Sequence, residues 1–277
     1  MRKINYPLII SDFDGTLLRS DGTIAPETKL AIDGYIAAGG KFGICTGRMT
    51  GSILPRAKEL GLKGLVASYQ GSVVSDIESG ALLVDGFIPF DGAVKICKVF
   101  EEMGLHTHVY TLDKFYVNMD DEALSMYERV CSVKGDVVLS EPLSALVARE
   151  KLKVRKVLAM VEPADKKRIF SAVEKALGEE FYVTYSAASL VEITSKTFNK
   201  GSAVRFMADY YHVPVERTVA VGDSLNDLPM LEAAGLGLAV RNADEMLKDK
   251  AISFEYSNDE NAIGRIIERY GFTGEKE

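Results

Sequence analysis

The stretch Leu8-Ile9-Ile10-Ser11-Asp12-Phe13-Asp14-Gly15-Thr16 decides how the rest of the chain reads. Its opening apolar run is short and continuous, as a strand buried on both faces of a parallel sheet must be. Two carboxylates two residues apart follow at once. At the carboxyl end of a strand they can converge on one point, where their repulsion calls for a cation or a shared proton. An Asx-type turn leaving the strand would use the same residues, so this stretch alone leaves both readings open.

Outward from it, the chain alternates strand and helix. Residues 26–38 read as a helix opened by Pro26 and closed by Gly39-Gly40. Strands are expected at 42–45 and 65–67, a helix at 52–60, and a hairpin over 73–84 turning at Glu78-Ser79-Gly80. The middle changes character: helices at 91–103, 121–133 and 163–177 are mixed with strands at 106–110, 115–118, 156–161, 182–185 and 190–193. The first rhythm then returns, with helices at 200–211 and 227–234, strands at 218–221 and 236–240, and Asn242 as an N-cap for a last helix. Short strands separated by helices predict an α/β fold, a doubly wound parallel sheet with a Rossmann-like core. The middle is expected to be an inserted α/β cap over 87–187, flanked by core segments 1–86 and 188–277.

Composition bounds the function. The 277 residues are 47% hydrophobic and 26% charged, as in a soluble globular protein that can bury a core without disulfides. A formal net charge of −7 argues against nucleic acid or anionic membrane as the main partner. The first apolar run is too short for a signal peptide, and no stretch approaches the ~20 residues of a membrane span, so the expected location is cytoplasmic. Cys45, Cys97 and Cys131 form no CxxC and read as reduced thiols. The GxGxxG of a dinucleotide site is missing after the first strand, where Asp-Phe-Asp-Gly-Thr stands instead. Oligomeric state is not legible.

Three further clusters follow strands or open helices. Thr46-Gly47-Arg48 offers a hydroxyl and backbone N–H groups to an anion, or is a plain capped turn. Lys200 opens a helix where the macrodipole disfavours a cation, which hints at a nearby anion unless the residue is simply solvated. Gly222-Asp223-Ser224-Leu225-Asn226-Asp227 places two carboxylates and a carboxamide at another strand end, more than an N-cap needs. In open parallel sheets ligands bind beyond the carboxyl ends of the strands, where all these clusters fall. Their oxygen donors suit magnesium rather than zinc.

The order DFDGTL, then a strand ending in Thr46, then Lys200, then GDSLNDLPML resembles the haloacid dehalogenase superfamily of phosphohydrolases, and the insertion resembles the large cap of its Cof-like sugar-phosphatase branch. The resemblance implies a Mg2+-dependent phosphatase acting on small phosphorylated metabolites through an aspartyl phosphate, sugar phosphates foremost, with phosphorylated cofactors such as pyridoxal phosphate or flavin mononucleotide left open. Asp12 would be the nucleophile and Asp14 the general acid and base. Asp12, Asp223 and the backbone carbonyl of Asp14 would hold the metal. Phe13 and Gly47 through backbone N–H groups, with Thr46, Lys200 and Asn226, would bind phosphate. Thr16 and Asp227 would support these residues from behind. A phosphotransferase or phosphomutase, a phospho-aspartate switch and a silent sugar-phosphate binder are the competing functions. Gln70-Gly71 departs from the Asn-Gly common in related sequences and is set aside as peripheral.

Other residues are assigned to packing. His106 and His108 alternate along one strand and can face one way, but two ligands do not make a metal site. His212, and the aromatics Tyr110, Phe115, Tyr116, Tyr182 and Tyr185, are placed in surface or sheet core. Arg48 either faces the cleft or ties the loop down, with the tie favoured, and Asp120-Asp121-Glu122 reads as a helix opening.

Overall fold

The computed structural model describes residues 2–186 and 189–273. Its strands in chain order are β1 (Leu8–Ser11), β2 (Lys41–Cys45), β3 (Leu65–Ser68), β4 (Val73–Asp76), β5 (Leu82–Asp85), β6 (His106–Tyr110), β7 (Phe115–Val117), β8 (Asp136–Val137), β9 (Lys156–Met160), β10 (Phe181–Ser186), β11 (Leu190–Ser195), β12 (Thr218–Gly222), β13 (Leu236–Ala239) and β14 (Ile252–Ser253). Among the described residues they form two sheets.

The first sheet runs β14-β13-β12-β1-β2-β3-β4-β5. It is parallel from β14 to β3 and ends in the antiparallel hairpin expected over 73–84. Every residue of β1, β3 and β12 is buried, which is why these segments read as unbroken apolar runs rather than alternations. The strand order reverses at β1, with β12 on one side and β2 on the other. That is the switch point where a doubly wound sheet opens a crevice for ligand.

The second sheet runs β10-β11-β9-β6-β7-β8 and is antiparallel except for the β7–β8 pair. Its strands have two differently used faces, as a period of two requires. Val109, Val157, Ala159, Val191 and Ile193 pack with Ile96, Phe100, Val147 and Val173 from helices Phe90–Glu102, Leu143–Glu150 and Lys166–Leu177. The opposite face, with Tyr110, Phe115 and Leu158, packs against Met49, Tyr69 and Val73 of the first unit. The cap is therefore seated on the core through an apolar junction.

The expected boundary between 187 and 188 lies outside the described residues. Strand β11, beyond that boundary, pairs with β10 and β9 in the second sheet rather than joining the core. Helix Leu143–Glu150 had no expected counterpart, and the helix after β13 is Glu245–Lys248. Its N-cap is Asp244, which accepts from Met246 N. Asn242 is not that cap: its Nδ2 donates to the Gly15 carbonyl and its Oδ1 accepts from Asn258 N, so it ties the first catalytic-type loop to the C-terminal segment.

Gly71 shows how tightly the two ends of the crevice are set together. Its φ is +93°, and a Cβ there would lie 2.3 Å from the carbonyl oxygen of Asn199, backbone that opens the Lys200 helix. We predict that Gly71→Ala destabilises the fold by at least ~2 kcal/mol, through both a forbidden φ and a backbone clash. Denaturant unfolding measures it; an unchanged midpoint would contradict the packing.

Candidate active site

Four strand ends or helix starts bring the predicted residues to the switch point. Asp12 leaves β1, with its N–H donating to Val221 O of the neighbouring β12 at 2.8 Å. Gly15, at φ +77°, lets the following loop turn under Asp223: a Cβ there would meet Asp223 Oδ2 at 2.8 Å. Asp223 follows β12, and Thr16 Oγ1 donates to its Oδ1 at 2.7 Å. Lys200 begins the helix Lys200–Tyr210 behind Asn199, whose side chain closes a capping box with Ser202.

Lys200 is the hinge of the arrangement. Its side chain is fully buried, and Nζ donates to Asp12 Oδ1 at 2.6 Å and Asp227 Oδ1 at 2.5 Å. The solvated-lysine alternative is thereby excluded. The other oxygen of Asp227 accepts from the backbone N–H groups of Asp223 and Ser224, both at 2.9 Å. Asp227 thus spends both oxygens on orientation, fastening the lysine and the Asp223 loop together.

One carboxylate oxygen each from Asp12, Asp223 and Asp227 lies within 4.8 Å of the others. Three carboxylates and one ammonium leave two negative charges uncompensated when all are ionised. The titration behaviour reflects that deficit. Burial, then Asp227, pushes Asp223 up from 3.8 to about 7. Burial, opposed by Lys200 but aided by Asp227 and Asp223, holds Asp12 well above its ordinary value. Burial works against the charged Lys200, yet Asp12 and Asp227 hold its pKa well above 10.5.

Asp14 points elsewhere. Its carboxylate takes a two-pronged salt bridge from Arg48, Nε and Nη2 each at 2.7 Å, while the guanidinium stacks over the buried Phe13 ring at 5.3 Å. Arg48 is a loop tie, as expected, but one that holds Asp14. Thr46 is buried, and its Oγ1 accepts from Arg48 N at 3.1 Å. Asn226 gives Nδ2 to Gln70 Oε1 at 3.1 Å, and its buried Oδ1 has no partner. A buried orphan acceptor facing a cavity marks an incomplete shell that a ligand can complete.

Above these residues lies a cavity of ≈ 480 Å³ between core and cap, within the size range of small-molecule sites. The cap contributes Lys156 and Glu192 to it, a buried ion pair 3.0 Å long. Lys156 Nζ also donates to the Gly47 carbonyl at 2.9 Å, and Glu192 accepts from Gln70 Nε2 at 2.9 Å. Gln70, set aside as peripheral, is in fact the joint between the cap and the loop after β2. It sits at φ 58° and a Cβ on Gly47 would strike its Nε2 at 2.5 Å. A sequence signal existed for Glu192, a lone carboxylate inside the apolar run Leu190–Ser195; Lys156 gave none.

A profile of haloacid dehalogenase-like hydrolases matches residues 9–267. The chain belongs to that family. Among its relatives is a Haemophilus influenzae protein with a provisional phosphatase name, 30% identical over 268 residues, which cover 95% of this chain and 97% of that protein. Phosphatase YwpJ of Bacillus subtilis is 29% identical, over 94% of this chain and 98% of its own. A solved haloacid dehalogenase-like hydrolase from B. subtilis superposes with a TM-score of 0.84 at 27% identity, covering 95% of this chain and 99% of that one. Membership of this hydrolase family makes the carboxylate cluster an active-site candidate rather than a structural one.

The remaining expectations settle into packing. His106 and His108 do face one way, with Nε2 atoms 3.2 Å apart, and His106 Nδ1 lies 3.1 Å from Asp121. Burial lowers both pKa values, well below 6.5 for His108, whose ring packs against Phe115 and Tyr127, and neither histidine belongs to a group of three metal-ligand side chains among the described residues. Asp121 caps the helix Glu122–Cys131 by accepting from Leu124 N. The cysteines are free, Cys45 and Cys97 buried and Cys131 partly exposed. No described helix is long and apolar enough to cross a membrane.

The raised pKa of Asp223 has a sign that can be tested. A carboxyl that ionises near 7 when folded and near 3.8 when unfolded destabilises the fold as pH rises through that window. In the presence of chelator, Asp223→Asn is expected to raise the melting temperature by about 5 °C at pH 8.5. At pH 4, where both forms are neutral, it should change little. Calorimetry at the two pH values decides; an equal effect at both would refute the assignment.

Proposed function

We propose that this chain is a divalent-cation-dependent phosphatase that hydrolyses small phosphate monoesters through a covalent aspartyl phosphate on Asp12, with Mg2+ as the cation. The observation that carries the reading is the buried Lys200 bridging Asp12 and Asp227 beside Asp223, with two negative charges left over. The free oxygens of Asp12 and Asp223 are hard donors of the kind Mg2+ selects, and a dication matches the charge deficit. Asp227, with both oxygens engaged, is a positioning residue. Bound there, Mg2+ would neutralise charge on the transferred phosphoryl group.

The residues divide the work as follows. Asp12 attacks phosphorus and displaces the alcohol. Lys200 orients Asp12 and offers positive charge to the equatorial oxygens, together with Thr46, Asn226 and the N–H groups of Phe13 and Gly47. Asp14 donates a proton to the departing alkoxide and then takes one from the hydrolytic water. To act, its carboxylate must exchange the Arg48 salt bridge for the leaving group, so Arg48 sets the resting position of the acid. Thr16 holds Asp223, and Gln70 holds Asn226. Phosphate monoester hydrolysis is accelerated by up to ~10²¹-fold in enzymes, more than any one of these contacts supplies.

One relative carries a substrate in its name: B. subtilis YitU, 29% identical over 273 residues, is a 5-amino-6-(5-phospho-D-ribitylamino)uracil phosphatase. We extend that substrate class, a small phosphomonoester, to this chain. A phospho-switch is disfavoured because Asp14 stands two residues from the proposed nucleophile, where it would speed loss of the phosphoryl group.

Two outcomes are expected. Release of inorganic phosphate from p-nitrophenyl phosphate should require Mg2+, stop with EDTA, and fall at least ~10³-fold in Asp12→Asn. In Asp14→Asn the second step should slow more than the first, so that rapid quench shows acid-stable phosphoprotein accumulating. Full activity of Asp12→Asn, or of enzyme in EDTA, would sink the proposal. Phosphate transfer to added sugars in preference to water would instead favour the phosphotransferase.

A further inference from the structure

The cap strand side chains that line the cavity come from one face of the second sheet. Lys156 and Met160 on β9 share a face, as do Leu190 and Glu192 on β11, and Leu190 stands directly opposite Met160 in the antiparallel register. Facing them from the helix Glu122–Cys131 are Met126 and Val130, which also line the cavity and are 61% and 64% exposed. Two large apolar side chains one helical turn apart that open together on a cavity wall form the kind of contiguous patch that marks a ligand groove.

The polar groups on the same wall are already engaged. Glu192 accepts from Lys156, Gln70 and Ser186. Lys156 is shared between Glu192 and the Gly47 carbonyl, with its ammonium 4.8 Å from the Tyr110 ring centre. The Tyr127 hydroxyl accepts from Tyr110 at 2.6 Å. Ser189 is the other cap-side hydroxyl among the described lining residues. A sugar body seated here would press several hydroxyls against thioether and aliphatic surface, each lowering affinity by about tenfold. A flat ring would instead gain apolar contact and sulfur–aromatic contacts from two methionines.

We propose that the substrate is a phosphate ester whose alcohol carries a flat aromatic or heteroaromatic body, and that Met126, Val130, Met160 and Leu190 select it over a bare polyhydroxylated sugar. This rests on the phosphatase reading above and narrows its substrate, against the sugar phosphates expected from the sequence. The phosphate end stays on Asp12, Thr46 and Asn226, and the ring lies between β9–β11 and the helix Glu122–Cys131.

The test compares esters of primary alcohols, so that intrinsic reactivity is matched: pyridoxine 5′-phosphate and riboflavin 5′-phosphate against glucose 6-phosphate and ribose 5-phosphate. For the Mg2+-loaded wild type, kcat/KM for at least one ring-bearing ester should exceed that for both sugars by about tenfold or more. In the double variant Met126→Ser, Val130→Ser, whose exposed sites leave the melting temperature in place, that ratio should fall about tenfold, mainly through KM for the ring-bearing ester. Sugars hydrolysed as well or better would overturn the inference while leaving the phosphatase standing. A ratio unmoved by the double variant would overturn the role given to the wall. Absence of turnover with all four esters and p-nitrophenyl phosphate would remove the phosphatase reading, and this inference with it.

Discussion

Everything at the crevice depends on one buried ammonium. Lys200 Nζ, removed from water, is tolerated because two carboxylates close on it within hydrogen-bond distance, and breaking such a pair typically costs 3–5 kcal/mol. The same contact makes the carboxylates tolerable. Asp12, Asp223 and Asp227 come from two distant chain segments and repel one another; the lysine supplies the attraction that lets β1 and β12 end at one point. Asp227 carries this order outward, because its second oxygen holds the N–H groups of Asp223 and Ser224 and so shapes the loop after β12. A cluster built this way remains short of positive charge, and that deficit is what the dication of the proposed function would answer.

Much of this was legible in the sequence because it is local. DFDGTL and GDSLNDLPML each combine a buried parallel strand with the residues that leave it, and strands buried on both faces announce themselves as apolar runs. The parallel core and the hairpin at its edge follow from patterns within a dozen residues, and the meeting of Asp12, Lys200 and Asp223 follows from placing those patterns at the strand ends of one parallel sheet. Gly15 is of the same kind, since a carboxylate lies 2.8 Å from where its side chain would begin.

What was not legible depends on contacts between segments far apart. Gln70 looked peripheral because its partners, Glu192 and Asn226, lie 122 and 156 residues away. Strand β11 was divided from β10 because the switch between the two sheets comes after Ser195, in a stretch with no composition break. Asn242 has an N-cap's side chain, yet Asp244 two residues later takes that role and releases Asn242 to brace Gly15. In each case the residue's chemistry was readable and its address was not. The identity of the cap wall has the same origin: alternation shows that Met160 and Leu190 share a face with Lys156 and Glu192, but not which face turns to the crevice.

Near the site, the joint between cap and core can part without stranding a charge; the salt bridge from buried Arg155 to Asp85 crosses it instead where β5 leads into the cap. Lys156 and Glu192, a buried ionic pair, both belong to the second sheet and stay together if the units separate. What crosses the junction near the site is a lysine to the Gly47 carbonyl, a carboxamide to Glu192, and Ser52 to the Cys131 carbonyl. Each of these loses a neutral partner that water can replace, so opening forfeits little beyond the apolar contact of Met49, Tyr69 and Val73 with the cap aromatics. Closing, by contrast, does several things at once. It sets Lys156 on the Gly47 carbonyl, fixes Gln70 and through it Asn226, and places Met160 and Leu190 over the cavity. On the proposed function, the residues assigned to the substrate body and those assigned to its phosphate would be ordered together, which is how a cap can make chemistry conditional on fit.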